Sequence, residues 1–356
     1  MTMMRAMVLL VCGLGVCGVA RAASFDCKVA KTDIERAICS DKDLSAADDR
    51  MAAAYKATMA MAPAEVQTEI REDQRTWVRS LTTVCKSDAV ELAHTPARRA
   101  ELVSCLKDQY KAQTTALQQR VVKKGGVVFV MRSVTVKVKD TPDDTGIKDV
   151  ETNPGYGTLT ATWPQALSDA PEWAAWNAAM LLEAQKMSGG DGKTAGGWKS
   201  EWAQGTDTDV TAMLENVTSQ MVSANVANDT MGHGAAHPNE AFEQFYWLLT
   251  EKRRLQATDV FAAGSSWEKV IAAKCRESLK EQVGDDYESY AGTKADFAKT
   301  LRDVIVTPEN WEIDEKGITV DFPEYSVTPR AQPVEPVLVP WSALQADLAR
   351  GFVVPQ

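Results

Sequence analysis

Three histidines, His94, His233 and His237, are the whole stock of imidazole in the chain, so any base or metal ligand of that type must be one of them. His233 and His237 stand four residues apart, a spacing that on a helix would turn both rings to one side, as zinc requires. The run Gly232-His233-Gly234-Ala235-Ala236-His237-Pro238-Asn239 reads as loop, however, and predicts a structural turn without metal. His94 sits in a polar connection before Pro96 and is expected as an exposed loop residue. Carboxylates are plentiful, as glycoside hydrolysis would need, but no spacing singles out an acid and its partner. Cys275 is a formal candidate nucleophile, yet it shares a helical stripe with Trp267, Ile271 and Leu279 and reads as a buried thiol. HExxH, Walker and GxSxG patterns are absent, and the G-x-G-x-x-G at Gly13, Gly15 and Gly18 follows no strand. Ten tryptophans could supply sugar platforms, but Trp77, Trp173, Trp176, Trp267 and Trp341 lie on apolar helical stripes and are expected in cores. These observations predict a protein that is not an enzyme and that holds no cofactor or metal.

The amino terminus carries Arg5, an apolar run from Ala6 to Val19 and the triplet Ala20-Arg21-Ala22, which reads as a signal peptide cut after Ala22. The run is shorter than a bilayer span and no later segment is continuously apolar at that length, so a soluble periplasmic or secreted protein without an integral membrane segment is expected. A lipid anchor at Cys12 or Cys17 is the competing reading; both follow Val where a small residue belongs. Removal of residues 1–22 leaves Cys27, Cys39, Cys85, Cys105 and Cys275. In an oxidising compartment the early four form two disulfides, whose pairing is open because four thiols allow three connectivities. Zinc would want close CxxC or CxxH steps, which are absent.

Residues 23–120 hold fifteen basic and fifteen acidic residues, whereas residues 121–356 hold 22 basic and 34 acidic, a net charge of −12. That imbalance excludes nucleic acid and anionic lipid as partners and favours a cationic one.

The elements that would position these residues are helices first. Thr32 and Glu35 have capping-box spacing ahead of a short helix carrying Cys39. Leu44, Ala47, Met51, Tyr55 and Met59 mark a second helix, Val66, Ile70, Trp77, Leu81 and Val84 a third, and Leu102, Leu106, Tyr110 and Leu117 a fourth opened by Pro96. Lys123-Lys124-Gly125-Gly126 then reads as the end of a linker over 121–126. Beyond it, Val134, Val136 and Val138, and Leu159 and Ala161, alternate with polar residues as strands do. Helices are expected around Trp173 to Met187, Trp267 to Leu279 and Trp341 to Leu348, a mobile loop over 188–209, and a hairpin from Trp311 to Phe322. The prediction is multidomain: an all-α, disulfide-stabilised domain over 23–120, and over 127–356 an α+β domain with a largely antiparallel sheet.

Two segments resemble known families. Ser24-Phe25-Asp26-Cys27, Thr32 to Cys39, Asp43-Leu44 to Asp48, Tyr55, Gln74-Arg75-Thr76-Trp77, Cys85 and Cys105-Leu106 before Tyr110 are similar to the N-terminal domain of LprI-type lysozyme inhibitors. Gly234 to Pro238, Thr258-Asp259-Val260-Phe261, and Gly317 through Val327 with Val339-Pro340 resemble the lysozyme-binding domain of RsiV-like anti-sigma factors. The first of these elements carries an extra Ala and lacks the paired Gly. The transmembrane and cytoplasmic parts of the anti-sigma factors have no counterpart, so membrane signalling is not implied. The resemblances imply a lysozyme or related muramidase as protein partner, with Pro323, Glu324, Tyr325 and His237 as contacts. A peptidoglycan-binding or peptidoglycan-modifying envelope protein is the alternative implied by the company the second family keeps.

Overall fold

A computed structural model describes residues 23–85, 95–140, 155–193, 196–285, 287–290 and 292–355. The expected leader at 1–22 and His94 lie outside them. The chain divides into two compact units, Met1–Gln119 and Arg120–Gln356.

The first unit is helical, as the stripes predict: α1 (Asp33–Ser40), α2 (Lys42–Met61), α3 (Ala64–Val84) and α4 (Pro96–Arg120). Thr32 and Glu35 cap α1 reciprocally, with the Glu35 N–H donating to Thr32 Oγ1 at 3.1 Å and the Thr32 N–H to Glu35 Oε2 at 2.8 Å. Asp41 ends α1 and starts α2, accepting the N–H groups of Asp43 and Leu44. Leu44, Val66, Ile70, Leu81, Leu106 and Leu117 are each buried, and few of the unit's polar residues are. Among the polar ones, the Thr58 hydroxyl donates to the Leu117 carbonyl at 2.7 Å. Trp77 is half-buried and meets Tyr110 edge-on at 5.1 Å. The disulfides are Cys27–Cys39 and Cys85–Cys105, which resolves the connectivity that spacing left open.

The second unit is α+β. Strands β1 (Val121–Lys124), β2 (Val127–Lys139), β3 (Tyr156–Ala166), β4 (Thr206–Val217), β5 (Met221–Gly232), β6 (Asn239–Leu248) and β7 (Arg253–Arg254) form one sheet in chain order. Its pairings are antiparallel except β3 with β4, which are parallel and joined through helix α5 (Pro171–Met187). The expected linker at 121–126 is instead a hairpin. Lys124 pairs with Val127 across Gly125 and Gly126 at φ 55° and 82°, the left-handed pair that a two-residue turn demands. The expected loop at 188–209 is also shortened: a 3₁₀ turn at Ser200–Ala203 leads into β4 at Thr206.

Trp173, Trp176 and Met180 of α5 bury one face of this sheet against Phe129, Val226 and Phe245. A second core is built by α6 (Ala257–Val260), α7 (Trp267–Val283), α8 (Lys294–Ile305) and α9 (Trp341–Leu344) with strands β8 (Trp311–Ile313), β9 (Gly317–Val320) and β10 (Val337–Pro340), ordered β10-β9-β8. Cys275 lies in this core, fully buried on α7 with Ile271 and Leu279. Burial pushes its thiol up to about 12. Tyr246 of β6 ties the two sheets together. Its hydroxyl donates to the Trp311 carbonyl at 2.9 Å and accepts from the Ile313 N–H at 2.8 Å.

Candidate functional site

After β9 the chain makes a turn closed by the Ser326 N–H donating to the Pro323 carbonyl at 3.0 Å. Tyr325, third in that turn, has φ +62°, a region that favours glycine and costs a tyrosine about 1 kcal/mol. The residue is 58 % exposed, so the strain does not serve core packing. Glu324 is held by Arg330 at 3.2 Å, and the same guanidinium donates to the Pro238 carbonyl at 2.5 Å and lies 3.9 Å from Glu240. Arg330 thus brings the Pro323–Tyr325 turn beside the start of β6. His237, one residue earlier, is exposed, with Nδ1 3.0 Å from the Pro238 carbonyl.

Between these segments lies a cleft of about 620 Å³ lined by residues 239–243 of β6, by Thr307, Glu309 and Asn310, by Lys186 and by the Pro323–Tyr325 turn. Of the residues expected as contacts, Pro323, Glu324 and Tyr325 line it and His237 does not. The β6 wall is a residue set that sequence reasoning missed, because contact with the turn is made through Arg330, far along the chain.

An ion network backs the cleft. Arg254 bonds Glu183 at 2.7 Å and Glu309 at 3.0 Å, and Lys186 bonds Glu183 at 3.0 Å and Glu243 at 2.5 Å. Burial alone would push the Glu183 carboxyl up, but the Arg254 and Lys186 charges outweigh it and hold it below the usual range. With Glu240, Glu324 and Arg330 added, five carboxylates share three cations, and the cleft carries net negative charge.

Asp321, one turn before Tyr325, is pushed up to about 6, first by burial and then by the Glu312 charge. A carboxyl whose folded pKa exceeds its unfolded value costs stability as pH rises through that window, here from about 4 to about 6. Asp321→Asn is therefore expected to raise the melting temperature of the second unit at pH 7.5 by a few degrees, about 1 kcal/mol after allowing for partial exposure. Scanning calorimetry should find the gain absent at pH 4.

His233 is a different case from His237. Its ring is buried, with Nδ1 2.6 Å from Asp140 Oδ2 and Nε2 3.3 Å from Asp207 Oδ2. Asp207 in turn accepts from the Thr158 hydroxyl at 2.5 Å, and Asp140 from the Gly205 N–H at 3.0 Å. No hydroxyl or thiol contacts the imidazole among the described residues, so the arrangement clamps the open end of the β4–β5 pair and presents no nucleophile to a base. The two histidines have separate partners, and among the described residues no three His, Cys, Asp or Glu side chains converge as metal ligands would. The Thr258–Phe261 element is structural as well: Asp259 takes Arg253 in a two-pronged pair at 2.7 Å, and Val260 and Phe261 are buried.

Comparison with known proteins follows the same division. No curated protein matches the chain. The chain is similar to two solved structures of the DUF3298 family. The one from Bacteroides fragilis is 14% identical, with 64% of this chain and 96% of that chain covered and a TM-score of 0.41. The one from Pseudomonas aeruginosa is 13% identical, with 62% and 94% covered and a TM-score of 0.41. Residues 27–117 match the family described as lysozyme inhibitor LprI, and residues 258–342 match the protein family of unknown function DUF3298.

Proposed function

We propose that this is an exported, non-catalytic envelope protein that binds and restrains lysozyme-type muramidases. The match of residues 27–117 to a lysozyme-inhibitor family carries the reading. Two disulfides in that segment fit an oxidising compartment, and among the described residues no helix is long and apolar enough to cross a membrane. The second unit supports it with a surface suited to a cationic protein: a net charge of −12 over residues 121–356, an acidic cleft, and a tyrosine held out in a strained turn. The resemblance to RsiV-like lysozyme-binding domains supports Pro323, Glu324 and Tyr325 as contacts, with His237 at the margin. Muramidases work through two carboxylates set in a sugar-binding groove. An inhibitor need only fill that groove, with polar loop groups on the acids and aromatics in the sugar subsites.

The test is a turbidity-clearing assay of bacterial cell walls with C-type, G-type and I-type lysozymes, with and without the protein. Slowed clearing together with salt-sensitive binding is expected. Clearing by the protein alone would favour a peptidoglycan-modifying role instead. Tyr325→Gly separates contact from fold: glycine suits φ +62°, so stability should hold or rise by up to about 1 kcal/mol. Affinity for the inhibited lysozyme should fall by about 30-fold, the effect of losing an interfacial tyrosine. Unchanged affinity, measured by titration calorimetry, would remove Tyr325 from the interface.

A further inference from the structure

Strand β6 has a neighbour along its whole length on one side only. On the other side β7 covers just Trp247 and Leu248. The odd-numbered residues of β6 bond to β5, continuing the step in which the Leu249 N–H donates to the Gln220 carbonyl at 2.8 Å. The even-numbered residues therefore face outward. Tyr246 O accepts the Leu255 N–H at 3.0 Å, Gln244 O accepts the Arg254 guanidinium at 3.2 Å, and Pro238 O accepts Arg330 at 2.5 Å. Between these two arginine contacts, the outward N–H and C=O groups of Glu240 and Phe242 meet no protein partner among the described residues and open onto the cleft. A strand edge in this condition is a template for another chain.

The register shows what side chain such a chain would bring. Asp209 pairs directly with Asp229, and Asp229 directly with Glu240. Three exposed carboxylates thus run in one row across β4, β5 and β6. Like charges placed directly opposite one another repel; Arg330, 3.9 Å from Glu240 but shared with Glu324 and the Pro238 carbonyl, offsets the row only in part, and the next position in the row, beyond Glu240, is where a second cation would relieve it. Phe242, 39 % exposed, stands two residues along on the same face. Both neighbours of β6 are antiparallel to it.

We propose that the β6 edge between Pro238 and Gln244 takes an extended segment of a basic polypeptide as an added antiparallel strand. The segment's main chain bonds to Glu240 and Phe242, and a Lys or Arg side chain opposite Glu240 completes the Asp209–Asp229–Glu240 row. This rests on reading the cleft as a partner surface and names how the partner is held.

The probe is a dye-labelled nine-residue peptide of alternating Lys and Val, titrated into the full chain by fluorescence anisotropy. Its Lys N–H groups all lie on one edge of an extended chain and its Val N–H groups on the other. Methylating the Lys backbone nitrogens is expected to weaken binding by at least about tenfold, and methylating the Val nitrogens by less than about twofold. Glu240→Lys should weaken the unmodified peptide, and a Glu/Val peptide should not bind. Equal affinity of the two methylated peptides would overturn the proposal by showing attraction of charge without strand pairing, as would no binding of the parent peptide at millimolar concentration. Lysozyme inhibition is scored separately: edge-specific peptide binding without inhibition would overturn the partner reading alone, and inhibition without edge-specific binding would overturn the strand addition alone.

Discussion

Reduction of the Cys27–Cys39 and Cys85–Cys105 disulfides is expected to unfold the helical unit while the second unit stays folded. The bridges close loops of 12 and 20 residues, and each such closure stabilises by about 3 kcal/mol through the entropy of the unfolded chain. Losing both removes about 6 kcal/mol, which is comparable with the whole stability of a domain of this size. The unit has little to set against the loss. Its third helix buries only Val66, Ile70 and Leu81 over 21 residues. The second unit contains no disulfide among the described residues and keeps Cys275 in its core. Far-ultraviolet circular dichroism after reduction and alkylation should lose helix signal, while near-ultraviolet signal from the buried Trp176 and Trp311 persists. Helix content unchanged by complete reduction would show that the packed stripes suffice without the bridges.

Arg254→Met should be the most damaging single change in the second unit, lowering its stability by about 3 kcal/mol. The guanidinium bonds Glu183 and Glu309, donates to the Gln244 carbonyl, and lies 4.2 Å over the Phe245 ring. Methionine keeps much of the packing but leaves Glu183, 6 % exposed, with Lys186 as its only remaining cation among the described residues. The pH dependence should change sign. In the native protein the Glu183 carboxyl is held below its usual range, so it contributes stability above the unfolded pKa that is lost as pH falls through the lower, folded one. In the variant the remaining burial pushes the group up, and acidification towards pH 5 should stabilise. Adding Glu183→Gln should recover part of the loss at pH 7.5, as read from urea midpoints. If the two substitutions cost the same together as the sum of each alone, the pair is not coupled.

The helical unit was legible because each of its features is local. A capping box, Pro63, Pro96 and stripes at three- and four-residue steps are complete within a few turns, and α1 to α4 follow them closely. In the second unit, β2, β3 and the β8–β9 hairpin show plain alternation, since one side of each is wetter than the other. The centre of the large sheet does not. Strand β5 is rich in Ser, Ala and Asn, and β6 ends in Phe245-Tyr246-Trp247-Leu248 without alternation because both faces are covered there, by α5 on one side and Trp311 on the other. Lys-Lys-Gly-Gly has one composition for two roles, and pairing partners at 127–130 decide for the hairpin. The Pro323–Tyr325 turn is reached through resemblance, whereas the β6 wall and the Glu183–Arg254–Lys186 network depend on contacts between residues 55 to 92 positions apart.

The unpaired thiol gives the second unit a built-in clock. At about 12 its pKa leaves roughly one part in ten thousand as thiolate at pH 8, and the side chain is fully buried in the core it shares with Ile271 and Leu279. Alkylation at Cys275 can then proceed only through an opening of the core, so the labelling rate of the unmodified protein counts those openings directly. A bound partner that holds this unit closed would slow the clock, and one that grips the helical unit alone would leave it running at its own pace.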